Sequence, residues 1–326
     1  MKSVLHSSHG AAPSPISLVF LTLAAGIGLA DWVWAQEAGF AVAGHAYARL
    51  AAISGLLWLA GWFYETRRPE PRLAAMFTCA AFLVAFTAAG SVLNAMLLTV
   101  AGPRMDWLFA RADIAMGFDW PAAMRAIVNY PTFLAILKQA YAVLLPEIAL
   151  GVVILATFGG ASPVYRFSLA VAVGALICIF IWALFPAFGA MSVYALDPAT
   201  AARLHVPVDR AYGETLIRML GEGPGLIAPD NMKGLIGFPS FHAVLALLLM
   251  WYFRTLRGIR WIVWIVNGLV IVSTPIAGGH HVVDVLAGAP VALLAAGIAG
   301  WVQSRTAGRR AMAGTALECF EARHQA

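Results

Sequence analysis

Charge is what this sequence has least of: Asp, Glu, Lys and Arg together make up 11% of 326 residues, while 61% are hydrophobic. A mean hydropathy of +0.81 lies outside the range of soluble domains and excludes a water-exposed globular fold. Cysteine is almost as scarce. Cys79, Cys178 and Cys319 are scattered, which excludes both a disulfide framework and a zinc-ligand spacing and leaves packing as their role. The formal charge of +5 does not imply a nucleic-acid partner, because the basic residues sit in short loops between apolar runs, where they orient a membrane protein.

What is present is long apolar runs. A hydrocarbon core of roughly 30 Å needs about 20 helical residues. Eight runs meet that length, at 15 to 35, 46 to 64, 73 to 101, 132 to 158, 165 to 189, 239 to 256, 259 to 278 and 281 to 303. Lipid leaves no water for an unpaired backbone, so each is expected to be a transmembrane helix in an all-α, polytopic bundle. The runs are too long and too evenly apolar for barrel strands. The organisation expected is two amino-terminal spans (1–72), a six-helix core (73–304) and a cytoplasmic tail (305–326). Val33-Trp34-Ala35 resembles a signal-peptide cleavage site, but Asp31 and Trp32 make a poor end for one.

Arg67, Arg68 and Arg72, then Arg166, then Arg254, Arg257 and Arg260, and finally Arg305, Arg309 and Arg310 all fall on one side of an eight-span arrangement, with Lys2. Both termini are therefore expected in the cytoplasm. The other side carries two polar segments. Residues 102 to 131, with Asp106, Asp113, Asp119 and Trp120, are expected to lie amphipathically in the interface, either shaping an entrance or anchoring the chain. Residues 190 to 238 are rich in Pro, Gly and charge. Trp32, Trp34, Trp107, Tyr130, Trp251 and Trp301, near span ends, read as an aromatic belt.

Ionisable groups at membrane depth are costly and point to function. Gly237-Phe238-Pro239-Ser240-Phe241-His242 opens the sixth run, and Gly278-Gly279-His280-His281-Val282-Val283-Asp284 opens the eighth. The two histidines His242 and His280 are separated by about two crossings of the chain, which returns both to the same face. His280 and Asp284, four apart, share one helix face. A carboxylate there fixes one imidazole tautomer and frees the other nitrogen to attack. His242 follows Pro239 at a helix start, where backbone N–H groups bind an anion such as phosphate, and the Ser240 hydroxyl adds a donor. Such a set fits phosphoryl transfer: His280 as nucleophile, Asp284 as orienter, His242 as proton donor. Lys138 is the first candidate for a substrate-binding cation, with Arg210 and Lys233 behind it; Lys138 snorkelling to the interface or pairing with Glu147 is the bland alternative. His281 turns about 100° from its neighbour and is expected to pack or face the interface.

These motifs resemble those of the type 2 phosphatidic acid phosphatase superfamily, with its Pro-Ser-Gly-His element, its His-x-x-x-Asp element preceded by Ser-Arg, and an earlier Lys-x6-Arg-Pro element. Pro239-Ser240-Phe241-His242 carries Phe for Gly, and His280 to Asp284 keeps the second element. Thr274 stands six before His280 where Arg belongs, and Lys138 to Pro146 has Leu145 in place of Arg. The Phe-Pro-Ser-x-His-Ala and His-His-x-x-Asp forms are similar to the branch holding the fungal inositol phosphorylceramide synthases. The resemblance covers roughly residues 230 to 300 and implies a phosphohistidine at His280, a lipid phosphate or phospholipid substrate, water or an alcohol as acceptor, and no cofactor or metal. It further implies a bacterial inner-membrane protein with a periplasm-facing site. Two readings from other classes stay open: a metal-dependent membrane hydrolase, and a transporter using the same polar residues.

Overall fold

A computed structural model describes residues 15–206, 210–231 and 235–324, with the side chains of 307–324 excepted. Twelve α-helices occur among the described residues, in chain order α1 (Pro15–Ala38), α2 (Gly44–Thr66), α3 (Pro71–Leu97), α4 (Asp106–Ala115), α5 (Trp120–Ile127), α6 (Pro131–Ile154), α7 (Ala161–Leu184), α8 (Pro198–Leu204), α9 (Arg210–Glu222), α10 (Phe241–Phe253), α11 (Ile259–Ala277) and α12 (Val282–His324). Seven of them, α1, α2, α3, α6, α7, α11 and α12, are long and apolar enough to cross a membrane. The protein is a polytopic helical membrane bundle.

The centre of the bundle is built by α7, which lies against α3, α10 and α12, while α11 packs on α6 and α10. Phe82, Leu144, Phe167, Val244, Leu248 and Phe253 fill it. Small residues set the spacing: a Cβ on Gly174 of α7 would stand 3.0 Å from Val244 Cγ1, so α7 and α10 approach closely because that position is glycine. Pro71, Pro131 and Pro198 open α3, α6 and α8 at a position where a missing N–H costs nothing.

Two expected spans are altered. The fifth run was expected to reach residue 189, but α7 stops at Leu184 and residues 185–189 leave the helix. The sixth, expected over 239 to 256, is a helix of 13 residues, about 20 Å long and shorter than a hydrocarbon core of roughly 30 Å. Its start is delayed because residues 235–239 run without helical structure to Ser240, the N-cap, and pass so close to the segment after α7 that a Cβ on Gly237 would stand 2.1 Å from the Ala187 carbonyl oxygen. The last helix runs on from the eighth span into the segment expected as a tail.

Contacts between distant segments close each end of the bundle. At one, Arg166 on α7 donates to the Gln303 side-chain oxygen on α12. At the other, Ala43 N donates to Ile227 O (2.9 Å) and Ile227 N to Ala41 O (2.8 Å), tying the α1–α2 turn to the polar segment after α9.

Candidate active site

The starts of α10 and α12 lie side by side. Ser240 N donates to the main-chain oxygen of Asp284 at 2.9 Å, and a Cβ on Gly288 would meet Ala243 Cβ at 2.9 Å, so the two helices touch through backbone and small side chains. Ser240 is fully buried. Its hydroxyl turns inward to accept the Ala243 N–H at 3.4 Å as an N-cap. The N–H groups of Phe241 and His242 come next, and helix geometry gives neither an intrahelical partner.

His280 sits just before α12 with its Nδ1 3.0 Å from the Gly237 carbonyl oxygen and 3.4 Å from Asp284 Oδ2. Both neighbours accept, so the proton resides on Nδ1 and Nε2 carries the lone pair. Asp284 Oδ2 also accepts the His281 backbone N–H at 2.9 Å, which ties the carboxylate to the loop it orients. The His242 ring lies edge-on to that of His280 at a centroid separation of 6.1 Å and stacks on Tyr141 of α6 at 4.2 Å. Tyr141 in turn fits against Gly278, where a Cβ would stand 2.5 Å from its ring. The structure thus brings His242, His280, Asp284 and Ser240 to one end of the bundle.

Behind this row lies a buried charge network formed by the segment expected to float in the interface. Asp113 of α4 accepts the N–H groups of Val282 (2.9 Å) and Val283 (3.0 Å), capping α12 from outside its own sequence. Asp106 accepts the N–H groups of Phe188 (2.8 Å) and Gly189 (2.7 Å) and pairs with Arg104, whose guanidinium reaches Ser192. His281, expected to pack or face the interface, is fully buried between these carboxylates, with Nε2 3.5 Å from Asp106 and Nδ1 3.4 Å from Asp113. Burial pulls the His281 pKa down, but Asp106, Asp113 and Asp284 outweigh it and push it up to about 9, so this imidazole is a cation at neutral pH. Burial likewise works against the Asp106 carboxylate, and His281 and Arg104 together hold it below the ordinary range. Trp120, expected at an entrance or interface, is buried and donates to the Pro275 carbonyl at 2.8 Å, at the end of α11. Asp106, Asp113 and Trp120 are interior because each bonds backbone of another segment: residues 188–189, the start of α12 and the end of α11.

The expected cations lie elsewhere. Lys138 donates to the carbonyls of Leu204 (3.2 Å) and His205 (3.0 Å), closing the carboxyl end of α8; the alternative pairing with Glu147 is not formed, since Glu147 accepts from Asn267 of α11 at 2.8 Å. Arg210 pairs with Glu214 one turn along α9 and lines a cavity of about 450 Å³ with Tyr194 and His205. Lys233 is outside the described residues. Thr274 is buried and bonds Val270 O within α11, and Leu145 is 66% exposed on the outside of α6, so neither departure from the motif leaves a gap that a guanidinium would fill. Among the described residues, no three His, Cys, Asp or Glu side chains converge as metal ligands.

Paired histidines and a carboxylate at the joined starts of two helices give this helical membrane bundle the kinds of group that a phosphoryl-transfer site uses. A family model of the PAP2 superfamily matches residues 107–298, more than half of the chain, and the chain belongs to that superfamily. Membership makes it, in general terms, a lipid phosphatase or phosphotransferase. The match runs from α4 into α12 and leaves α1 to α3 outside. Searches of curated proteins and of solved structures each found no match.

Proposed function

We propose that the protein cleaves a lipid-linked phosphate through a phosphohistidine on His280. The observation that carries this reading is the pair of acceptors on Nδ1, Gly237 O and Asp284 Oδ2, which leaves Nε2 as the nucleophile, with the His242 ring edge-on at a centroid separation of 6.1 Å. Nε2 forms a bond to phosphorus, the bond from phosphorus to the lipid oxygen breaks, and His242 gives that oxygen its proton. An imidazolium beside a phosphate dianion is a charge-assisted pair, so the substrate itself favours the protonated acid. His242, now neutral, takes a proton from the incoming water or alcohol, which attacks phosphorus and releases His280. Asp284 balances the positive charge that His280 carries meanwhile.

The free N–H groups at the start of α10 are the donors for the phosphate oxygens. They support a site that works without the two arginines of the family motif. Lys138 has no part in this scheme, and Arg210, paired with Glu214 on the wall of the outer cavity, is the cation left to meet a headgroup. The short α10 sets His242 below the ends of its longer neighbours, which suits a phosphate at the lipid headgroup level. The basic loops at the opposite end support a periplasm-facing site in a bacterial inner membrane. Phe241 in place of Gly and the doubled His280-His281 favour the phosphotransferase branch, with an alcohol as acceptor.

The test is incubation of purified protein with radiolabelled lipid phosphates, alone and with candidate alcohols. An acid-labile, alkali-stable phosphoprotein that is absent from His280→Ala supports the proposal. Turnover by His280→Ala at the wild-type rate overturns it. Release of inorganic phosphate marks a phosphatase and formation of a new phospholipid a phosphotransferase.

A further inference from the structure

A second site lies at the opposite side of α3 from the catalytic row, in the part of the chain that the family model leaves out. The helices α1 and α2 both lie against α3, and between them runs a cavity of about 990 Å³ floored by Ala81, Ala85 and Ala88 of α3. That volume is at the upper end of the roughly 300–1,000 Å³ of small-molecule sites. From Phe20 to Gln36 it follows about 24 Å of α1, more than one leaflet of a hydrocarbon core of roughly 30 Å. Its walls are largely apolar and, with one exception, uncharged.

The exception is Asp31. It lines the cavity, is 4% exposed, and neither carboxylate oxygen has a hydrogen-bond partner. A buried carboxylate is normally paired, because removing a charge from water without a partner is strongly unfavourable. Asp31 cannot relieve this by reaching the surface: it lies seven residues before the end of α1, about 10 Å at 1.5 Å per residue, beyond the span of a two-carbon side chain. Another polar group in the same cavity, Tyr47 of α2, already bonds Ser91 at 3.2 Å. An anionic group with two open acceptor oxygens, at the end of a long apolar slot that faces the same bundle end as His280, matches one kind of amphiphile.

We propose that the groove between α1 and α2 binds a long-chain primary amine, its ammonium against Asp31 and its hydrocarbon chain along α1 toward Phe20. Charge complementarity selects the ammonium head, and it disfavours the anionic lipid phosphates that the catalytic row would take. The site is separate from His280 and does not depend on the chemistry proposed there.

The experiment uses the full chain in phosphatidylcholine nanodiscs and compares retention of labelled hexadecylamine, hexadecanol and hexadecanoic acid. Hexadecylamine is expected to bind stoichiometrically and the other two far more weakly. Asp31→Asn should weaken amine binding by about tenfold or more, the scale of a lost charged hydrogen bond. A Cβ at Gly28 or Gly55 meets nothing within 4 Å, so Gly28→Leu and Gly55→Leu fill the groove without a clash at their first atom and should also abolish binding, while phosphorylation of His280 is unchanged. Should Asp31→Asn not fold, the headgroup comparison and Gly55→Leu decide. Equal retention of hexadecanol, or amine binding undiminished in Gly55→Leu, would overturn the proposal. Phosphatidylethanolamine added as competitor distinguishes a membrane aminolipid from a free amine as the source of the head.

Discussion

Asp113 accepts the backbone N–H of Val282 at 2.9 Å across 169 residues of chain, and with it the first turn of α12 is capped by a side chain from α4. Asp284, in that same turn, faces His280. The orientation of His280, the proposed nucleophile, therefore rests on a carboxylate that has no part in the proposed reacting set. Replacing it should disturb catalysis through position. Asp113→Asn, which keeps one acceptor oxygen, is expected to retain more activity than Asp113→Ala. The alanine variant should lose stability by several kcal/mol, since a buried cation at His281 is left with one partner fewer, and thermal unfolding in detergent measures the difference.

The three groups of the proposed mechanism should differ in how they fail. His280→Ala removes the proposed nucleophile and should reduce turnover to background. Asp284→Asn leaves the imidazole in place but weakens control of its tautomer, and a loss on the order of 10²–10⁴ in kcat is expected. His242→Ala should slow both formation and breakdown of the phosphoenzyme by roughly 10²–10⁴, the range of a lost general acid–base group. Rapid-quench measurement of the labelled protein separates these cases; a His242→Ala enzyme at full speed would remove it from the scheme.

The charge network predicts how stability follows pH. The His281 pKa is raised from 6.5 to about 9 in the folded protein, so its contribution is fully present below about 6.5 and is lost as pH rises through about 9. The Asp106 pKa is lowered, so its contribution is present above the ordinary carboxylate range and is lost as pH falls through its folded value. The melting temperature should accordingly fall between pH 7 and pH 9.5, and His281→Gln should flatten that slope. A slope that the variant leaves unaltered would show that His281 is not the titrating group.

Gly189 makes the sharpest steric prediction. Its φ is +86°, a conformation that L side chains rarely adopt, and a Cβ would meet the Gly279 carbonyl oxygen at 2.3 Å. The same oxygen accepts the Ala190 N–H, which ties the segment after α7 to the loop holding His280. Gly189→Ala must part these two segments. It is expected to lower the melting temperature by several degrees and to cost activity in proportion, whereas Gly117→Ala, also at positive φ but with open space around it, should pay only the backbone strain.

The membrane class and the eight helical segments were legible from apolar run length alone, because lipid forces long uncharged stretches into helices. The convergence of His242, His280 and Asp284 was legible for a related reason: ionisable groups are rare in such runs, and the spacing between the histidines returns the chain to the same end. What sequence could not show was the fate of the polar segment from 102 to 131. Its acids and Trp120 have the composition of an interfacial helix, and nothing local distinguishes a carboxylate facing water from one capping a helix 169 residues away. The weak signal available was the seven-residue spacing of Asp106 and Asp113, which puts both carboxylates on one helix face.

Lys138 illustrates the same limit from the other side. Depth along α6 suggested a substrate cation, but its ammonium closes α8 through Leu204 and His205, a partner set by the return of a distant loop. Sequence determined which stretches cross the membrane and which ionisable residues stand at their ends, since both follow from the cost of polarity in lipid. Tertiary structure decided which of those charges neutralise one another, because a buried charge is satisfied by whatever group the folded chain brings within about 3–4 Å, however far away in sequence.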